Sequence, residues 1–323
     1  MGKTVNLEGI KADPVFRDFD PEGKRFLDVR WLPQKLNPFM SCGIRIGAVV
    51  IKGLPHIKAV AAVQMMLEDF EQGLYLDKHT IVVPSSGNTA HAVARIAPAF
   101  GFEQVKVVMA ADVPASKKEW ISMNPVVDFV GVGGGKSVED RAREVARQPG
   151  HVLLDQYGHM GNMRAHEKYT APELVSVLGV DFSVVAIALG SGGTAAGVGR
   201  YLRTVHTGKQ CLGVRPALGE RVPGARDEER MKIVTLPWEG VLDGIVEVSR
   251  KESFARARQL WSAVEPQPGP SSGLAYAGLL RFLRGREELK GTTVGFICPD
   301  KADLYSGLFS AELDTGQGLL IQI

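Results

Sequence analysis

Short runs of valine, isoleucine and leucine alternate with amphipathic stretches along almost the whole chain, and the two periodicities rarely overlap. Residues 25–31, 44–52, 105–110, 129–132, 184–189, 210–214, 241–249 and 293–298 read as strands, because each is apolar, rich in β-branched residues and bounded by Gly, Pro or polar turns. Between them the spacing changes to helical. From His56 onward Val60, Val63, Leu67 and Phe70 form one stripe, and Gly73 supplies the stop, so Lys58 falls on the first turn of a helix. Further helices are expected from the alanine-rich start at 89–97, over 116–122 and 138–147, around Pro172 in a first turn, on to Tyr201, and over 252–264 and 274–283. Residues 156–166 and 215–227 read as loops, 133–135 as a flexible turn, and 268–273 as another turn. Strand and helix in strict alternation predict parallel βαβ units, an α/β chain rather than a sandwich. Two lobes are expected, a smaller one formed by residues 60–165 and a larger one by 1–59 plus 166–323.

Two of the strand-to-helix junctions carry unusual polar density. The first runs Val82-Val83-Pro84-Ser85-Ser86-Gly87-Asn88-Thr89, and the second runs Leu189-Gly190-Ser191-Gly192-Gly193-Thr194. Each sets hydroxyls and free backbone N–H groups beyond the carboxyl end of a strand, at the positive end of a helix, where open α/β sheets hold anionic ligands. One ligand held at both ends is the economical reading. The second turn lacks the Gly-Lys-Ser/Thr ending of a P-loop, and its later glycines, Gly197 and Gly199, lie too far into the helix for a dinucleotide fingerprint.

Composition narrows the partner. The 323 residues are 45% hydrophobic, enough for a sizeable core, and 38 basic residues nearly cancel 36 acidic ones without a long run of one sign. Neither nucleic acid nor a membrane surface is implied, so a small molecule is the expected partner. No apolar run approaches a bilayer span and the first residues lack a secretory core, which together predict a cytoplasmic protein. Cys42, Cys211 and Cys298 are widely spaced in or beside apolar segments and read as reduced core thiols. His91 and His159 have no partner at metal-ligand spacing, and no metal site is predicted.

With Gln156-Tyr157 and Pro270-Ser271-Ser272-Gly273 added, the two polar turns resemble the cysteine synthase group of pyridoxal-phosphate enzymes over nearly the whole chain. The resemblance implies a two-lobed fold-type II enzyme, similar to the tryptophan synthase β chain, with parallel-rich twisted sheets and flanking helices. It implies pyridoxal 5'-phosphate bound between the lobes, with Gly190, Ser191, Gly192, Gly193 and Thr194 cradling the phosphate and Asn88 at the ring hydroxyl. Ser85, Ser86, Gly87, Thr89 and Gln156 then belong to the substrate side. The resemblance implies Lys58 as the Schiff-base lysine, in Leu54-Pro55-His56-Ile57-Lys58-Ala59-Val60, where Ala59 and Val60 replace the family's Asp-Arg. Lys301 stands where the family has a serine or threonine beside the pyridine nitrogen, with Asp300 as the competing residue if the backbone turns, and Pro237-Trp238-Glu239-Gly240 stands in the region of its Gly-Ile-Gly loop.

The middle loop, Gly219-Glu220-Arg221-Val222-Pro223-Gly224-Ala225-Arg226, is most similar to the branch that accepts O-phosphoserine, with Arg226 as the phosphate-reading arginine. The implied reaction is β-replacement on O-phosphoserine or O-acetylserine through an aminoacrylate, by a cytoplasmic homodimer. Two other enzymatic outcomes stay open, β-elimination without replacement and synthesis of 2,3-diaminopropionate. So does a different class, a homologue that has lost the cofactor and serves as a binding subunit.

Overall fold

In the computed structural model, residues 5–85, 87–110, 113, 115–122, 126–132 and 137–314 are described, and they form two parallel-rich sheets with helices packed around them. The larger sheet contains β1 (Leu27–Trp31), β2 (Arg45–Ile51), β7 (Phe182–Ala188), β8 (Gln210–Pro216), β9 (Gly244–Val248) and β10 (Thr293–Cys298). Its order is β1-β2-β10-β7-β8-β9, and only the edge pair β1–β2 is antiparallel. The smaller sheet contains β3 (Thr80–Pro84), β4 (Gln104–Ala110), β5 (Val127–Val132) and β6 (His151–Leu153), all parallel, in the order β5-β4-β3-β6.

The near-continuous apolar strands have a direct cause, since the larger sheet is covered on both faces. Val49, Ile51, Val185, Ile187 and Ile297 face one core, which helix Gly193–Val205 helps to form. Their neighbours Ala48, Val50, Val184, Ala186 and Phe296 point the other way, to a core shared with helix Pro270–Leu283. Alternation along each strand thus feeds two cores from one run. A third core lies against the smaller sheet, and Ile10, Phe16 and Phe19 belong to it. The N-terminal helices Leu7–Ala12 and Pro14–Phe19, included above with the larger lobe, therefore pack on the smaller sheet. Their large apolar side chains find their cover there.

Two segments read as irregular are helical. Helix Met160–Ala165 continues through a π-helical stretch, His166–Thr170, into helix Ala171–Leu178, so the loop after Gln156 is only a short one. Gly161 disguised it: a Cβ there would meet Glu68 Oε2 at 2.7 Å, so the glycine serves close packing rather than a turn. Similarly, Pro270 is the first residue of its helix and Gly273 lies inside it, because a Cβ at Gly273 would meet the Ser253 carbonyl at 2.0 Å. The turn at 133–135 lies outside the described residues. No helix among the described residues is long and apolar enough to cross a membrane.

Candidate active site

The site gathers where β3, β7 and β10 end. Their carboxyl ends lead into residues 85 and 87–89, 190–194 and 299–301, and Lys58 follows β2 after a short turn. The backbone fixes this convergence, since Ile57 N–H donates to the Pro299 carbonyl at 2.9 Å and Arg226 N–H donates to the Leu189 carbonyl at 2.7 Å. Open α/β sheets place ligands at such a crevice.

Lys58 opens helix Lys58–Glu71, as its spacing predicted, and its Nζ donates to Ser191 Oγ at 2.6 Å. Burial draws the Lys58 ammonium down to about 8; the Arg226 guanidinium adds to the effect and Asp300 opposes it. Ser191 also accepts from Asn162 Nδ2 at 3.0 Å, and the same amide donates to the Gln156 carbonyl at 2.7 Å. Gln156 Oε1 in turn accepts from Thr89 Oγ1 at 2.8 Å. A continuous polar chain thus runs from Lys58 through the glycine turn to the first turn of helix Asn88–Ile96.

The glycine turn is shaped by necessity. Gly192 sits at φ 77°, a left-handed conformation that side chains resist. A Cβ on Gly193 would approach Asn162 Oδ1 to 2.0 Å. Helix Gly193–Val205 begins there without a side-chain cap, so its first N–H groups are not covered from within. Thr194 Oγ1 lies 3.1 Å from His166 Nε2, whose other ring nitrogen lies 2.8 Å from Thr170 Oγ1. Burial holds His166 at about 3, so the ring is neutral and orients the Thr194 hydroxyl.

At the opposite wall Asn88 Nδ2 donates to Asp300 Oδ2 at 2.7 Å, and Tyr305 OH donates to the same oxygen at 2.6 Å. Burial raises the Tyr305 phenol well above its usual range and the Asp300 charge raises it further, so it remains a donor. Lys301, expected to face the ring nitrogen, is exposed, while Asp300 is buried. The chain turns at this position so that the carboxylate enters and the long cationic side chain stays in water.

Arg226 is brought to the site already engaged. Its Nη2 donates to Glu139 Oε1 at 2.9 Å and to Tyr157 OH at 2.5 Å, and its guanidinium carbon lies 4.3 Å from the centre of the Tyr157 ring. Both members of the ion pair are largely buried, with 21% and 14% of their side chains exposed. Ser85 Oγ accepts from Gly87 N–H at 3.3 Å. Ser86 lies outside the described residues. The two histidines singled out are structural: His91 stacks on Trp120 at 4.0 Å, and His159 accepts from Gly161 N–H while bonding Asp69 at 2.8 Å.

Asn162, His166, Tyr305 and Glu139 were not identified from sequence, whereas Asp300 was the alternative to Lys301 at the ring nitrogen. Tyr305 lies four residues beyond Lys301 in the same segment, Asn162 and His166 fall within residues 156–166, and Glu139 reaches the site by tertiary folding without a local signature.

The cradle, the half-buried lysine near 8 and the uncapped helix start form the donor set that a phosphate-bearing aldehyde requires, and these residues fit such a group. The family described as Pyridoxal-phosphate dependent enzyme matches residues 57–300, so the chain belongs to that family and is a pyridoxal-phosphate-dependent enzyme. A cysteine synthase of Helicobacter pylori (strain ATCC 700392 / 26695) is 28% identical over 276 residues, which is 81% of this chain and 90% of that protein. Cysteine synthase B of Escherichia coli (strain K12) is 26% identical over 260 residues, 79% of this chain and 84% of its own. Among solved structures, the O-acetylserine dependent cystathionine beta-synthase of Helicobacter pylori superposes with a TM-score of 0.77 at 24% identity, covering 91% of this chain and 96% of that one. O-ureido-L-serine synthase superposes with a TM-score of 0.79 at 20% identity, covering 94% and 96%. These likenesses establish the fold-type II architecture.

Proposed function

We propose that this enzyme replaces the β-substituent of a serine-derived amino acid, and that its donor carries a neutral acyl ester, as O-acetylserine does. The polar chain Lys58–Ser191–Asn162–Gln156–Thr89 carries the reading. It joins the lysine and the phosphate cradle on one side to an uncapped helix start on the other, where Asn88 and Thr89 suit an α-carboxylate. Pyridoxal phosphate, when bound, supplies the electron sink that acidifies the substrate's α-carbon. Lys58, held near 8, suits taking up the α-proton and returning it. The cysteine synthase relatives support β-replacement as the outcome.

The choice of donor rests on Arg226. A guanidinium suits phosphate well when its fork is free, but here Nη2 donates to both Glu139 and Tyr157, Nη1 donates to the Arg230 carbonyl at 3.3 Å, and the Glu139 carboxylate balances the charge. A phosphate dianion beside the Glu139 carboxylate would be repelled. This favours the ester over the phosphate and departs from the resemblance of the middle loop.

The test is turnover of the cofactor-loaded enzyme with sulfide and either O-acetylserine or O-phosphoserine, following the new amino acid by mass spectrometry. Faster release of cysteine from the acetyl ester is expected. Turnover of O-phosphoserine alone would reverse the donor assignment, and no amino-acid product from either would end the replacement reading.

A further inference from the structure

Away from the cleft, a cavity of about 650 Å³ opens between helices Arg250–Leu260, Pro270–Leu283 and Ser306–Asp314. Its walls contain none of the residues assembled around Lys58. Arg281 and Arg284 line it at the far end of the helix that Pro270 begins, roughly 20 Å from that start at 1.5 Å per residue.

Cations dominate its lining. Among the described lining residues, Lys251, Arg256, Arg258, Arg281 and Arg284 face two carboxylates, Glu252 and Glu312. Arg281 pairs with Glu252, and Arg258 donates to the Phe309 carbonyl, so these two are held in place. Arg256 is held more loosely: it is only 8% exposed, its Nη1 donates to Gln259 Oε1 at 2.9 Å, and its Nε makes no hydrogen bond among the described residues but a long ion pair with Glu252 Oε1 at 3.9 Å. A buried guanidinium N–H held only by a long ion pair and no hydrogen bond is incompletely satisfied, and a closer anionic acceptor in the cavity would complete it. Arg284 and Lys251 are exposed at the rim, and their side chains make no hydrogen bond or ion pair among the described residues.

We propose that this cavity binds a small phosphorylated molecule of nucleotide size, at a second site separate from the cofactor cleft. The volume lies in the range of small-molecule pockets and exceeds what a lone inorganic phosphate fills. Several guanidinium forks around one space match the multiple oxygens of a polyphosphate better than a single carboxylate.

Isothermal titration of the full-length, cofactor-loaded enzyme with tripolyphosphate and with ATP tests the site, against potassium chloride of equal ionic strength. One saturable event per chain is expected, and it should weaken roughly tenfold or more in Arg256→Gln. Because that residue is buried, Arg284→Gln and Arg284→Glu serve as variants at an exposed position, with progressive weakening expected and circular dichroism verifying the fold. Tighter binding of ATP than of tripolyphosphate, or equal binding, supports the site and distinguishes reading of the nucleoside from reading of phosphates alone. Absence of binding by both probes overturns the proposal. So does binding that survives both Arg284 variants but disappears in Arg226→Gln, since the probes would then occupy the cleft.

Discussion

The Asn88 amide and the Asp300 carboxylate meet at 2.7 Å, joining the helix that follows β3 of the smaller sheet to the segment that follows β10 of the larger one. Tyr305 donates to the same carboxylate oxygen, so a buried anion stands near Lys58 and helps to keep its ammonium charged. Removing that anion as Asp300→Asn should shift the Lys58 pKa further below about 8. It should also perturb the absorbance of bound cofactor, whereas Lys301→Ser, altering an exposed side chain, should leave the spectrum unchanged. A spectral change confined to Lys301→Ser would return the ring-nitrogen role to that lysine.

Covalent attachment of the cofactor requires a neutral amine, which makes the pH of attachment informative. Since burial and Arg226 hold Lys58 near 8, the rate of cofactor incorporation into apoenzyme should rise as pH passes through about 8 rather than near 10. Lys58→Ala should abolish borohydride-reducible attachment, and Lys52→Ala should retain it. The same depression affects stability. The folded pKa lies below the unfolded value of 10.5, so between about pH 8 and 10.5 the unfolded chain binds more protons and apoenzyme stability rises with pH. Lys58→Met should therefore stabilise the apoenzyme more at pH 7 than at pH 10, which thermal melts at the two values would show.

The legibility of the site in the sequence follows how local its causes are. Lys58 was readable because its helix announces itself through the stripe Val60, Val63, Leu67 and Phe70, and because the strand before it ends at Gly53-Leu54-Pro55. The glycine turn was readable because a strand runs directly into it. Glu139 was not: it occupies the first turn of helix Val138–Ala146, where an acidic residue is common on electrostatic grounds alone and predicts no distant partner. Asp300 and Lys301 illustrate a finer limit. A motif specifies that one of two adjacent polar residues faces inward, but the choice depends on the buried Tyr305 and on Asn88, 212 positions away. Gly161 and Gly273 misled because glycine used for close helix packing looks, in sequence, like glycine used for a turn.

The cradle should fail in a graded way. Ser191→Ala with Thr194→Val removes two hydroxyls proposed to face the cofactor phosphate, each bond to a charged group being worth ~1.5–3 kcal/mol. Cofactor retention during dialysis should fall accordingly. Gly193→Ala should do more, because its methyl would collide with Asn162 and break the link to Ser191. Asn162→Ala in that background should restore part of the loss by removing the collision. Equal retention in all four proteins would dismiss the cradle.

The Glu139–Arg226 pair makes the sharpest claim about the substrate, because it assigns specificity to a residue outside every recognised motif. Arg226 is anchored through its backbone to Leu189 at the head of the glycine turn, while its guanidinium lies against Tyr157 and pairs with Glu139 from a helix beside the smaller sheet. With Glu139 ionised, the pair is close to neutral and a phosphate leaving group meets an arginine whose best donors are occupied. Glu139→Gln keeps the size of the side chain, removes its charge and leaves Arg226 with an unbalanced positive charge. The specificity ratio, kcat/KM for O-phosphoserine over that for O-acetylserine, should then rise, by about tenfold if one charged hydrogen bond is gained by the donor. The gain should appear mainly in KM for O-phosphoserine. Arg226→Gln in the Glu139→Gln background should cancel it, which separates a direct reading of phosphate from a general change in the field of the cleft. A ratio unmoved by Glu139→Gln would mean that Arg226 does not face the leaving group, and the donor would then be selected elsewhere in the cleft.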